Sequence, residues 1–236
     1  PSGAVRHLVE ALRINPNDPD ALQYLGFYSA AGGWDPAGSK KLLERLAKVD
    51  PLTPLNRGAM AWFHWWYEGR FTKAIEVWAD FFSVLEEESS PVRFLHAYLS
   101  ASAGQISEAE ALMERLLSEF PTHLLTTLGV FLRHAWRGET SQALRSVTED
   151  LEKAARWDDM WPIVMADAYA LINEKDRAFR WLEHGIDYGI CHVPYLREHD
   201  PFLANLRGDK RFQRLMEKAA RLSGSLAATA KIDELV

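Results

Sequence analysis

A small residue recurs along this chain at a nearly fixed step: Ala4, Ser39, Ala74, Ala109, Ala143 and Ala178, separated by 35, 35, 35, 34 and 35 residues. Self-similarity at that period marks an array whose units cannot bury their apolar faces alone and stack on one another. Glycine keeps the same register. Gly69, Gly104 and Gly138 each stand five residues before the small residue, and Asn173 takes that place before Ala178. Gly and Asn tolerate the left-handed backbone that ends a helix tightly, so each position reads as a turn between two helices. Four residues after the small one stands a bulky apolar residue: Leu8, Leu43, Trp78, Met113, Val147 and Leu182. A spacing of four lies on one helix face, so this stripe packs the second helix of each unit. Pro16, Pro51 and Pro121 follow the small residue by twelve. Proline lacks an N–H and biases its predecessor away from helix, so each ends a second helix.

The segment "AVRHLVEALRINPNDPDAL" and the segment "ISEAEALMERLLSEFPTH" carry the Ala-x3-bulky element and the closing proline together. Leu22, Leu25 and Gly26 fill the first-helix slots of the second unit, and Ala166 and Tyr169 fill two of them in the sixth. On these residues the chain resembles the tetratricopeptide repeat (TPR) over roughly residues 1–190. The resemblance implies an all-α fold, a right-handed α-solenoid of about six to seven TPR-like helix–turn–helix units, with a first unit that lacks its first helix. Residues 191–223 then read as C-terminal capping helices and 224–236 as a loosely docked tail. In the cap, Asp200-Pro201 reads as a helix start, and Asp209 as the N-cap of a last helix with Leu215, Met216, Ala219 and Leu222 on one side.

A narrower resemblance lies in "RAFRWLEHGIDYGICHVPYLREHDPFLANLRGDKRFQRLMEKAARL". Trp181-Leu182-Glu183, Asp200-Pro201-Phe202-Leu203, Leu206-Arg207-Gly208-Asp209 and Arg211-Phe212 are similar to the closing segment of TPR regions in large bacterial signalling proteins, serine/threonine protein kinases and related regulators. No kinase element is present: there is no Gly-rich loop with a Val-Ala-x-Lys strand, no His-Arg-Asp and no Asp-Phe-Gly. The resemblance therefore implies a chain that is not itself an enzyme. It also implies a C-terminal piece of a longer protein, with any kinase activity upstream.

Composition narrows the partners. A net charge of −6 opposes a phosphate-tracking groove, which needs clustered Lys and Arg, and so weighs against nucleic acid. The RNA-reading pentatricopeptide arrays share the 35-residue period and form the alternative class. No apolar run approaches the ~18 residues that span a bilayer, so membrane insertion of this segment is not expected. One cysteine, Cys191, suits a reducing compartment, and the expectation is a cytoplasmic protein. Protein or peptide is the expected partner, with a homo-oligomer or a purely structural role as the third reading. No cofactor is expected.

The sharpest local feature is "AWFHWWYEGRF". In the repeat register Trp62 and Trp65 fall toward the partner helix, and Phe63, Trp66 and Tyr67 fall on the inner, concave line. Phe94 and Tyr98 continue that line in the next unit, and Leu128, Leu132 and Trp136 in the one after. The set Phe63, Trp66, Tyr67, Phe94, Tyr98, Leu132 and Trp136 is thus either an aromatic groove for a peptide, with Trp66 and Tyr67 the most open, or core between neighbouring helices. His184, Cys191, His192 and His199 cluster within sixteen residues, but their gaps do not give the close pairing of zinc ligands. Glu108 and Glu110 read as first-turn acids, Asp158-Asp159 as a helix start, and Glu86-Glu87-Glu88 as a solvated turn.

Overall fold

The computed structural model describes residues 2–85 and 89–235, and those residues form helices and turns without a strand. In chain order the α-helices are α1 (Ser2–Ile14), α2 (Pro19–Gly32), α3 (Pro36–Val49), α4 (Pro54–Arg57), α5 (Met60–Trp62), α6 (Phe71–Val77), α7 (Ala79–Leu85), α8 (Ser90–Ser102), α9 (Ile106–Glu119), α10 (Leu124–Trp136), α11 (Thr140–Ser146), α12 (Glu149–Ala155), α13 (Trp161–Leu171), α14 (Lys175–Tyr188) and α15 (Lys210–Ala230). A π-helical turn, Phe63–Tyr67, continues α5. The Glu86-Glu87-Glu88 turn lies outside the described residues. No helix among the described residues is long and apolar enough to cross a membrane.

The expected turns are in place. Gly69, Gly104 and Gly138 have φ of 65°, 77° and 71°, and Asn173 has 61°. Each joins two helices: the π turn to α6, α8 to α9, α10 to α11, and α13 to α14. Gly33, at φ 64°, does the same between α2 and α3. The five-residue spacing passes over it, because it lands on Trp34. The small residues Ser39, Ala74, Ala109, Ala143 and Ala178 are all fully buried, whereas Ala4 on α1 is exposed. Their size lets paired helices approach. Ser39 Oγ donates to the Gly26 carbonyl at 2.9 Å, and a methyl group on Gly26 would run into the Leu43 side chain. Helix starts follow the sequence too. Asp18 and Asp35 accept from Ala21 N and Gly38 N at 2.9 and 2.8 Å, each just before a proline at the first helical position. Asp158 Oδ1 accepts from Met160 N and Trp161 N at the start of α13.

Several elements depart from the regular pattern. Two second helices are broken, one at Trp78 and one at Val147, where the backbone turns extended and Thr148 caps α12. Asp200-Pro201 does not start a helix. Asp200 Oδ1 instead accepts from Phe202 N at 2.9 Å, closing a tight turn before a 3-10 turn at Ala204–Leu206. Asp209 does begin α15, accepting from Arg211 N at 2.8 Å. The tail beyond residue 223 is not loosely docked: α15 continues to Ala230, with Leu226, Ala230 and Ile232 buried. Ile232 packs where α3 carries Gly38.

By packing, the chain forms two compact lobes. The first combines the chain up to Phe81 with Ile186–His199 and the stretch from Leu215 onward; the second combines Phe82–Gly185 with Asp200–Arg214. In the first lobe α2 packs on α1, α3, α5 and the π turn. In the second, α8 packs on α9 and α10, and α10 on α9, α11, α12 and α13. Each lobe therefore takes in a stretch of chain from far along the sequence, beyond the neighbour-only contacts of a simple array.

Candidate functional site

In the first lobe the aromatic run forms a stacked cluster. Trp62 meets Trp78 edge-on at 4.5 Å between ring centroids, on the partner-helix side that the register predicts. Trp65 and Trp66 stack at 4.6 Å, and Phe63 and Tyr67 at 5.0 Å. Six consecutive residues with five large rings suit the wider π turn, whose Glu68 N bonds five residues back to Phe63 O at 3.1 Å. The stretch 190–199 then covers this cluster. Tyr195 packs on Trp66 at 4.9 Å and on Phe71 at 6.4 Å, and its hydroxyl accepts from Trp65 Nε1 at 3.3 Å. His192 stacks on Tyr67 at 4.7 Å and 8°.

Backbone contacts fix the register of that cover. Cys191 N and His192 N both donate to Ala31 O, at 3.1 and 3.0 Å. His192 Nδ1 lies 3.0 Å from Trp66 O, and because a carbonyl only accepts, Nδ1 carries the proton. Burial holds the His192 pKa below its ordinary value, with His199 adding to the effect. A methyl group on Gly33 would strike the His192 ring, and one on Gly69 would strike His199. Two histidines seven residues apart thus sit on two successive helix–helix turns. The Cys191 thiol donates to Gly32 O at 3.6 Å, and burial pushes it up to about 12, so it remains an inert thiol. This packing accounts for Cys191, His192 and His199 of the cluster noted in the sequence, while His184 lies apart from them with Nε2 3.0 Å from Arg156 O. Among the described residues no group of three or more His, Cys, Asp or Glu could hold a metal ion.

The second lobe is covered differently. Tyr98 on α8 donates its hydroxyl to Asp167 Oδ2 on α13 at 2.6 Å. Asp200 faces Asp167 within hydrogen-bonding reach, and both carboxyls are fully buried. Phe202 packs on Tyr98 at 6.0 Å, and Asn205 Nδ2 donates to Ala170 O at the end of α13. Burial and the neighbouring carboxyl raise Asp167 well above the carboxylate range; burial raises Asp200 to about 6.

These contacts locate the residues singled out in the sequence. Trp66 is not open: it is 0% exposed, under Tyr195. Phe63, Phe94, Tyr98 and Leu132 are buried as well, and so is Leu128. Tyr67 and Trp136 alone of the set keep partial exposure. The reason is physical: the sequence register places these side chains on one line but does not show that later chain covers it. Glu110 also departs from its expected role as a first-turn acid. It accepts from Trp136 Nε1 at 2.6 Å, from Arg133 Nε at 2.6 Å and from Arg137 Nε at 2.7 Å, which ties α9 to α10. The partners stand 23, 26 and 27 residues away, on the next helix or at its end, a separation that gives no signal in the sequence.

No protein-family model matches the chain. A comparison with curated proteins gives no match either. The geometry of the two lobes is therefore the basis for any functional reading.

Proposed function

We propose that this chain is a helical-repeat interaction module, a TPR-like α-solenoid that binds a protein or peptide. In this reading it belongs to a larger bacterial signalling protein and works in the cytoplasm. The observation that supports it most is the set of helix pairs at a 35-residue step, each turning on a left-handed Gly or Asn. Arrays of that kind serve chiefly as binding surfaces. The closing segment from Trp181 to Phe212 supports the signalling context by its resemblance alone. Phe63, Trp66, Phe94, Tyr98 and Leu132 act as core in this proposal, and the positions left to a partner are Tyr67 in the first lobe or, separately, Trp136 in the second, which retain exposure. Both are amphipathic aromatics of the type favoured as binding anchors.

The test is site-specific photo-crosslinking in the native cell. A photoreactive residue is placed at position 67 or at 136, with Trp157, 85% exposed, as a control position. One protein crosslinked from 67 or 136 and not from 157 is the expected result. Crosslinks to RNA would replace the proposal with the pentatricopeptide-like reading, and crosslinks only to further copies of this chain would replace it with self-association.

A further inference from the structure

The second lobe holds two acids, Asp167 and Asp200, that face each other at 0% exposure. Three elements meet there. Tyr98 on α8, a helix that also carries Arg93 and His96, donates to Asp167. From α13 comes Asp167 itself. The 200–207 turn brings Asp200 and Arg207, and Arg207 Nη2 donates to the backbone carbonyl of Asp200. Asp167 Oδ1 and Asp200 Oδ2 have no hydrogen-bond partner among the described residues, and neither does Arg207 Nε. Two ionised carboxylates in contact, each with an unsolvated oxygen, would repel at low dielectric. The Arg207 charge favours ionised Asp200, but Arg207 bonds its backbone carbonyl and offsets only one of the two charges. One acid proton removes the repulsion and donates across the contact.

We propose that Asp167 and Asp200 share a single proton and that this proton latches the 200–206 turn onto α8 and α13. When the proton leaves, like-charge repulsion releases the turn, and Phe202 no longer covers Tyr98. The latch is a property of this fold and stands independently of the identity of any partner. The other contacts of the turn, the hydrogen bond from Asn205 to Ala170 O and the burial of Phe202, Leu203 and Leu206, are uncharged and do not change with pH.

The experiment is amide hydrogen exchange of residues 200–206 in the full chain, corrected for intrinsic exchange rates, across the range from mildly acid to mildly alkaline pH. Protection is expected to fall by about tenfold per pH unit where the pair loses its proton, the slope for release of one proton. In Asp167→Asn, whose amide donates to Asp200 at every pH, that slope is expected to vanish. Flat protection in the wild-type chain, or an unchanged slope in the variant, overturns the latch. Should Asp167→Asn lose its helical circular dichroism, carboxyl carbon-13 titration of the wild-type chain decides. One carboxyl of the pair keeping its proton beyond the ordinary range supports the proposal, and two ordinary titrations overturn it.

Discussion

In the first lobe His192, Tyr195 and His199 lie over Trp66, Tyr67 and the turns at Gly33 and Gly69; in the second, Asp200, Phe202 and Asn205 lie over Asp167, Tyr98 and the end of α13. Both covers bring an aromatic ring onto first-helix aromatics, so dispersion and burial do similar service in each. The polar fastenings differ in kind. The first uses a neutral imidazole donating to a backbone carbonyl, and the second uses a carboxyl pair that needs a proton. Burial lowers the pKa of the base and raises those of the acids, so acid should weaken the first cover and alkali the second. A repeat scaffold can thus carry two closures with opposite responses to the same variable.

The comparison breaks most severely if the first cover loses its aromatic floor. Trp66→Ala removes a fully buried indole beneath Tyr195 and is expected to cost about 3–5 kcal/mol in urea unfolding. A loss below about 1 kcal/mol, typical of a surface site, would mean that Tyr195 does not close over that ring. Next in size is Gly69→Ala. Its φ of 65° disfavours any other residue by about 1–2 kcal/mol, and the added methyl meets His199, a further overpacking cost of about 1–3 kcal/mol. If Gly69→Ala unfolds no earlier than a strain-only variant, His199 is not seated on that turn.

The pH response of the first lobe is expected to be smaller than either truncation and opposite in sign to that of the carboxyl pair. His192 has a lowered pKa in the fold, so the unfolded chain binds the extra proton. Stability from this group is therefore complete above the ordinary histidine value of 6.5 and is lost as pH falls through the window beneath it. Amide protection of residues 191–198 should accordingly decline on acidification. His192→Asn, which keeps a donor for Trp66 O and cannot take a charge, should remove that decline. Identical pH profiles in wild type and variant would assign the response elsewhere.

How much of this was legible in advance depends on range. Local signals read well. Gly69, Gly104, Gly138 and Asn173 are left-handed as their spacing requires, and Ser39, Ala74, Ala109, Ala143 and Ala178 are buried at close helix contacts. Such features are decided within one helix pair, and periodicity reports on a pair directly. The covers were not legible. Tyr195 meets Trp66 across 129 positions, and nothing in the spacing of either residue names the other. A repeat pattern predicts neighbours, so it left Trp66 apparently open and gave Asp167 no role. One sequence hint existed in Cys191, His192 and His199, which stand close together in the closing segment. Their spacing argued against metal but did not point to turns at Gly33 and Gly69.

Gly138→Ala sharpens the contrast with the smallest change. Gly138 has φ 71°, close to that of Gly69, yet an added methyl there meets nothing within 4 Å. Only the left-handed strain applies, and the expected cost is about 1–2 kcal/mol, partly offset because alanine narrows the unfolded ensemble. The difference between Gly69→Ala and Gly138→Ala in matched urea titrations therefore isolates the contact with His199, since the backbone terms nearly cancel. That difference should shrink when Gly69→Ala is combined with His199→Ala, because the methyl group then enters vacated space. If the double variant shows simple additivity, the turn glycines of the two lobes are equivalent, and the seating of the histidines on the first lobe contributes nothing to its closure.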